Sequence, residues 1–317
     1  SVATAATMAK VSIPPMRKYS FNEGFAAGTV AAGGTMGILI PPSAALIVYG
    51  ILTEQSIGDL FIAGIIPGII TILLYITVIW LVARFWPHLA PRAPKSSWSV
   101  RWHTLSKIWA VLALFLIIIG GISFGVFTPT EGGGIGAIGA LLFAIARKKM
   151  DLKIFFYGLV EAAETSAMIF TIAFGALILN NFVNIAEMPN DIVNFIKSLE
   201  IAPIYVILVV LAIYILLGTI IEGLAMIFLT VPIFVPLVDA MGFDLIWFGI
   251  VMVMVVEISL ITPPIGLNVF VIKSMMPEVP LSAMFKGIAP FFAADIVRLM
   301  LVVFIPSLAL WLPNILR

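Results

Sequence analysis

Long, uninterrupted apolar runs recur from one end of this chain to the other, as in residues 65–83, 108–119, 205–217 and 299–312. A helix that crosses a bilayer needs roughly 20 mostly apolar residues, so the length leaves room for about eight to ten passes and hairpin arms. A membrane β-barrel would need short strands of alternating polarity, and these runs are continuously apolar. Charged residues make up only 10% of the chain, against about 25% in a soluble domain. So few charges cannot clothe a water-facing surface, and the predicted class is an all-α integral membrane protein.

The same inventory excludes much chemistry. There is no cysteine, which removes disulfides, thiolate nucleophiles and thiolate-held metals. The two histidines, His88 and His103, share one polar linker. His-Glu-x-x-His and Gly-x-Ser-x-Gly are missing, no intramembrane pair of aspartates is evident, and a net charge of +1 offers nothing to nucleic acid. No enzyme, cofactor or transition-metal site is predicted. The chain starts at Ser1 without Met or a charged leader, and reads as a piece of a longer protein.

Charges sort the loops by side. One set holds Arg17 and Lys18, then Arg84, Arg92, Lys95, Arg101 and Lys107, then Arg147, Lys148, Lys149 and Lys153, then Lys273 and Lys286. The loops between carry Glu54 and Asp59, then Glu187, Asp191, Lys197 and Glu200, then Asp239 and Asp244. Positive charge stays cytoplasmic during insertion, so the first set is cytoplasmic and the second faces outward. Residues 14–20 then form a cytoplasmic loop. Residues 203–238 lie between two outward loops and must turn back as a re-entrant hairpin, its tip at Gly218-Thr219-Ile220-Ile221-Glu222-Gly223.

An internal repeat underlies this pattern. A shift of 222 residues places Ala3 on Ala225, Pro14 on Pro236, Phe21 on Phe243, Asn22 on Asp244, and Pro41-Pro42 on Pro263-Pro264. With one residue of slippage, Gly64 meets Gly287 and Pro67 meets Pro290. The two copies have opposite orientation by the charge rule, which is the signature of secondary transporters. A Pro-Pro pair removes two amide donors and breaks a helix. Carbonyls freed by the break can coordinate a hard cation such as Na⁺, and a half-helix N-terminus can hold a carboxylate. Breaks are therefore expected at Pro41, Pro42, Pro263 and Pro264, each facing a hairpin tip, with substrate between two quasi-symmetric ion sites.

The stretches that carry these features also resemble a known family. Ser-Val-Ala-Thr-Ala-Ala-Thr at 1–7, Gly33-Gly34-Thr35-Met36-Gly37-Ile38-Leu39-Ile40-Pro41-Pro42-Ser43 and Ser56-Ile57-Gly58-Asp59-Leu60-Phe61 are similar to the DctM-like large membrane subunit of TRAP (tripartite ATP-independent periplasmic) transporters. So are Thr128-Pro129-Thr130-Glu131, Ile261-Thr262-Pro263-Pro264-Ile265-Gly266-Leu267-Asn268 and the ending Leu310-Trp311-Leu312-Pro313. The likeness runs end to end, and implies that an entering arm of the first hairpin and earlier helices precede residue 1 in a family member. It implies an inverted-repeat, elevator-type, sodium-coupled importer of small organic acids in a bacterial or archaeal inner membrane. A periplasmic substrate-binding protein would deliver the substrate, and a small four-helix membrane subunit would buttress the scaffold. The alternative is a single-component sodium- or proton-coupled carboxylate transporter.

Residue by residue, the resemblance implies a first Na⁺ site at Ser1, Ala3, Gly33, Thr35 and Gly37. A second would use Gly218, Thr219, Gly223, Ser259 and Thr262, with Ser259 standing where the family pattern has glycine. Substrate is expected near Thr4, Ser43 and Asn268. The implied organisation runs from a transport element at 1–50 and a scaffold helix at 51–86, through a cytoplasmic linker at 87–107, to scaffold helices at 108–200. A second transport element at 201–275 and a last scaffold helix at 276–317 complete it.

Other polar residues divide between roles. Glu222 and Glu257 lie at membrane depth, where charges are costly and often functional; an ion or proton role and a hydrogen-bonded structural one both fit Glu257. Asp295 and Arg298 have the spacing of a structural ion pair on one helix face. Asn180, Asn181 and Asn184 read as helix-packing residues, and Lys10 as a snorkelling cation. The glycine run 132–136 lacks the Lys-Ser/Thr of a phosphate loop and reads as a flexible turn in close helix contact.

Overall fold

The computed structural model describes residues 2–92, 95, 97–106 and 108–316, with side chains from Thr4 onward. Among them are fifteen helices and no strand. They are α1 (Val2–Lys18), α2 (Glu23–Thr35), α3 (Ala44–Thr53), α4 (Ile57–Phe85), α5 (Trp98–Leu105), α6 (Trp109–Ser123), α7 (Pro129–Ala146) and α8 (Leu152–Ile185). There follow α9 (Met188–Ser198), α10 (Pro203–Gly218), α11 (Gly223–Ala240), α12 (Leu245–Ser259), α13 (Leu267–Met275), α14 (Leu281–Phe304) and α15 (Ser307–Leu316). Five of them, α4, α7, α8, α11 and α14, are long and apolar enough to cross a membrane, and α3, α10, α12 and α15 are shorter apolar helices.

By compactness the chain forms two units, Ser1–Ala93 with Phe182–Arg317, and Pro94–Asn181. In the second unit α6 packs on α7. The glycine run does not form a turn: it lies inside α7. Thr128 and Glu131 make a reciprocal capping box, with the Glu131 N–H donating to Thr128 Oγ1 (3.3 Å) and the Thr128 N–H to Glu131 Oε2 (2.7 Å). With Pro129 at the first helical position, that box nucleates the helix despite its glycines. The expected close contact is there, since a Cβ at Gly136 would lie 3.0 Å from Ile118 Cδ1.

The first unit carries the repeat. Under the 222-residue shift α1 falls on α11, α2 on α12, α3 on α13 and α4 on α14, nearly end for end. The caps coincide as well: Asn22 accepts from the Phe25 N–H (3.1 Å), and its counterpart Asp244 accepts from the Ile246 and Trp247 N–H groups (2.8 and 3.0 Å). Packing is reciprocal, with α1 on α13 and α11 on α3, α2 on α13 and α12 on α3, α2 on α14 and α12 on α4. Such exchange is what a local two-fold relation between copies produces. One boundary differs from expectation. Residues 14–18 are not loop, because α1 continues through Pro14 and Pro15 to Lys18; the carbonyls of Lys10 and Val11, which those prolines cannot serve, belong to exposed residues.

The tightest contact is between α2 and α14. Gly24 and Gly28 lie four apart on α2, and a Cβ at Gly28 would sit 2.6 Å from Gly287 O, while one at Gly24 would sit 2.6 Å from Ala283 O. Backbone thus meets backbone, the small-residue packing that membrane helices use when no hydrophobic force drives them together.

Candidate functional site

Both helix pairs are interrupted at their prolines. Between α2 and α3 lie residues 36–43, between α12 and α13 residues 260–266, and the Pro41-Pro42 and Pro263-Pro264 bonds are both cis. In each break the chain closes a few tight turns before the next helix starts. Ile38 N–H donates to Thr35 O (3.0 Å) and Ile40 N–H to Met36 O (3.3 Å); in the second break Ile261 N–H donates to Ile258 O and Thr262 N–H to Ser259 O (both 3.2 Å).

A cavity of about 160 Å³ opens beside the first break. Gly37, Ile38 and Ser43–Ala45 line one side, Glu222–Leu224 another, and Val256 and Leu260 of α12 and its end a third. Two helix N-termini converge on it, those of α3 and α11. Each carries unsatisfied amides and the positive end of a dipole. At α11 the Glu222 carboxylate already serves them, accepting from the Leu224 and Ala225 N–H groups (2.8 and 3.1 Å). At α3 the cap is Ser43, whose Oγ accepts from the Leu46 N–H (3.3 Å) and donates to Ile38 O.

The residues of the implied sites are placed as follows. Ser1 and the side chain of Ala3 lie outside the described residues. Thr35 is buried and its hydroxyl donates to Ala32 O (2.8 Å). Gly37 faces the cavity and Thr4, whose Cγ2 would be 4.0 Å from a Cβ there. Gly33 instead lines a separate apolar pocket with Met8, Val30 and Tyr75. In the second set, Gly218 packs on Ser259, a Cβ there falling 2.6 Å from Ser259 Cβ. Gly223 lines the cavity, and the hydroxyls of Thr219, Ser259 and Thr262 donate to Leu216, Val256 and Ile258 carbonyls (2.8, 2.7 and 2.6 Å). Of the substrate candidates Ser43 lines the cavity and Thr4 is exposed near it. Asn268 is fully buried, its Nδ2 donating to Ala31 O (3.4 Å) and its backbone N–H to Leu260 O (3.1 Å), so it ties α13 to α2 and to the second break.

A buried polar cluster adjoins the first break. Arg298 on α14 meets Glu257 Oε2 at 2.9 Å and Asp295 Oδ1 at 3.3 Å, all three 1% exposed. Tyr75 O–H donates to Asp295 Oδ2 (2.7 Å), and Arg298 Nη1 to Thr71 Oγ1. Leu39 N–H donates to Glu257 Oε1 (3.1 Å). The Asp295–Arg298 pair was legible from its spacing. The part played by Glu257, Tyr75 and Thr71 was not, because they arrive from other helices.

The fold is that of an all-α membrane protein whose two like halves each carry a helix broken at a Pro-Pro pair, and within a bilayer such a break is tolerated only where protein or a water-filled cavity surrounds the freed backbone. Comparison with known proteins narrows that class. Residues 1–308 match the family described as "Tripartite ATP-independent periplasmic transporter, DctM component". The chain is 36% identical to the C4-dicarboxylate TRAP transporter large permease protein DctM of Pseudomonas aeruginosa, over 99% of its own length and 73% of that protein. It is 29% identical to the sialic acid TRAP transporter large permease protein SiaM of Vibrio cholerae, over 99% and 73%. With the 2,3-diketo-L-gulonate TRAP transporter large permease protein YiaN of Escherichia coli the identity is 32%, over 97% and 72%. The chain belongs to the DctM family of TRAP transporter large permeases. It is a multi-pass inner-membrane transporter subunit and not an enzyme.

Proposed function

We propose that this chain is the translocating component of a sodium-coupled importer of small organic acids, working as an elevator. The single observation that carries the reading is the cavity between the first break and the second hairpin tip, where two helix N-termini converge. Glu222 serves the α11 end, and at α3, where Ser43 takes the Leu46 N–H, the first amides, those of Ala44 and Ala45 on the cavity wall, are the ones offered to a substrate carboxylate. Each hairpin arm meanwhile packs on the helix just before its own break, Ala5 of α1 against Gly34 of α2 and Gly218 of α10 against Ser259 of α12, beside the carbonyls that a break frees to hold Na⁺. Thr35 and Gly37 belong to the first such site; Thr219, Gly223, Ser259 and Thr262 belong to the second.

The relatives' names, which include a C4-dicarboxylate, sialic acid and 2,3-diketo-L-gulonate, support a small organic acid as substrate. Their shared TRAP designation supports delivery by a periplasmic binding protein and partnership with a small membrane subunit, in preference to a single-component carrier. The test is uptake of labelled organic acids into proteoliposomes by the full-length permease, with and without a sodium gradient, binding protein and small subunit each present or omitted. Uptake requiring sodium and binding protein is expected. Uptake indifferent to sodium would refute the ion sites, and uptake without the binding protein would refute the tripartite assignment.

A further inference from the structure

The two breaks are equivalent in sequence, yet one of their amides is satisfied in different ways. At the second break Ile261 N–H finds a backbone acceptor, Ile258 O (3.2 Å). Its counterpart under the 222-residue shift is Leu39, whose N–H reaches across to the side chain of Glu257 on the other repeat (3.1 Å). The repeat does not impose this. Thr35 stands where Glu257 would be in the first copy, and its hydroxyl is turned back onto Ala32 O. With the one-residue slip, Tyr75 stands where Arg298 would be.

Glu257 is also costly. Its carboxylate is 1% exposed and is met by one guanidinium shared with Asp295. A buried ion pair gives up its hydration and is often no more stabilising than apolar residues of the same volume. Charges at membrane depth are retained where they do something. What Glu257 does is visible in its partners. Leu39 is clamped between Glu257 and α4, where a Cβ at Gly64 would already lie 3.0 Å from Leu39 O. Gly37 and Ile38, the residues just before the clamp, and Ser43 just after it, line the cavity, as does Val256, the neighbour of Glu257.

We propose that Glu257 is a positioning residue for the substrate cavity: its carboxylate, held in place by Arg298, grips the Leu39 N–H and so sets the first break from the second repeat. The hydrogen-bond acceptor, rather than the charge, is what the break requires. Arg298 acts through Glu257, fixing which oxygen faces Leu39, while Tyr75 and Thr71 hold Asp295 and Arg298 in register from α4. The uptake half of the test rests on the transport function proposed above; the labelling half does not.

The test compares Glu257→Gln, whose one amide oxygen is left to the Leu39 N–H while Asp295 and Thr71 hold Arg298, with Glu257→Ala, which removes the acceptor. These 317 residues contain no cysteine, so Ile38→Cys, in a full-length permease freed of any other cysteine, reports the cavity wall through its rate of reaction with a small thiol reagent. The expected result is a labelling rate changed about ten-fold or more by Glu257→Ala, the weight of a hydrogen bond to a charged group, and within about two-fold of the parent for Glu257→Gln. The substrate concentration giving half-maximal uptake should follow the same split, higher for Ala and near the parent for Gln. Equal effects of both substitutions would overturn the proposal, since charge would then matter and not the acceptor. No effect of either on labelling would overturn it too. Should Glu257→Ala fail to accumulate, Glu257→Gln decides alone, a ten-fold change in its labelling refuting the claim. Absence of uptake in the parent would count against the proposed transport function and leave the labelling result standing.

Discussion

Gly287→Ala is the sharpest probe of how the repeats are joined. A Cβ at Gly287 would fall against the Gly24 carbonyl, 2.6 Å from Gly24 C and 2.9 Å from Phe25 Cα. Ordinary contact begins near 3.4 Å, so α2 and α14 must separate by about 0.8 Å or more. The obstacle is helix backbone, which no rotamer change can move aside. Overpacking of this kind costs about 1–3 kcal/mol. The separation also forfeits part of the dispersion along the whole contact, since a gap of about 0.5–1 Å loses a quarter to a half of each well. A loss near the upper figure, about 3 kcal/mol, is expected. The assay is the apparent melting temperature of the purified permease in detergent. About 1 kcal/mol moves the melting temperature of a domain of this size by roughly 2–4 °C, so a fall of about 6–12 °C is expected. Gly175→Ala on α8, where a Cβ would meet nothing within 4 Å, serves as the control and should be neutral or gain up to about 1 kcal/mol from helix propensity. A Gly287→Ala protein that melts with the parent would refute the direct backbone contact.

Three further outcomes are expected. Gly218→Ala should cost about 1–3 kcal/mol of stability through its clash with Ser259 and lower the melting temperature accordingly, and adding Ser259→Gly should recover most of the loss; no recovery would place the strain elsewhere. Ser43→Ala removes the α3 cap and should cost about 1 kcal/mol while raising the half-saturating substrate concentration, and a rise in neither quantity would remove Ser43 from the site. At the loop end of α1, Arg17 bonds Glu23 (2.8 Å) and Glu278. Glu278 is held below the ordinary carboxylate value by its own backbone N–H and by Arg17, and the hydrogen bonds that Arg17 donates to Glu23 and Glu278 push Arg17 upward. A depressed carboxylate contributes above its unfolded value, 4.5, and loses that contribution as pH falls through the lower folded one. The small melting difference between Arg17→Gln and the parent should therefore be flat from pH 8 to 5 and shrink below 4.5; a difference that grows on acidification would contradict the pairing.

Much of this protein could be read from the order of its residues, and the physical reason is the solvent. A chain so apolar must satisfy its backbone inside helices, and proline cannot donate. The Pro41-Pro42 and Pro263-Pro264 breaks and the repeat that relates them were therefore legible in one dimension, whereas the capping by Asn22 and Asp244, matched by the repeat, emerged only in the structure. Local chemistry corrected two details. Pro14 and Pro15 do not end α1, and the Thr128–Glu131 capping box draws the glycines after it into α7.

The candidate site was less legible, because its parts come from segments far apart in sequence. Ser43 and Glu222 line different sides of one cavity, Gly33 looks into a different pocket, and Asn268 is buried against Ala31; nothing in local sequence distinguishes these fates. Glu257, Arg298, Tyr75 and Leu39 meet only because α4, α12 and α14 pack around the first break. The sequence by itself determined the membrane environment, the helices, their interruptions and their two-fold kinship. Only the tertiary structure decided which interruption faces which hairpin tip, and that one break leans on a carboxylate from the other half. Hydrogen-bonding need is local, whereas the partner that meets it is chosen by packing.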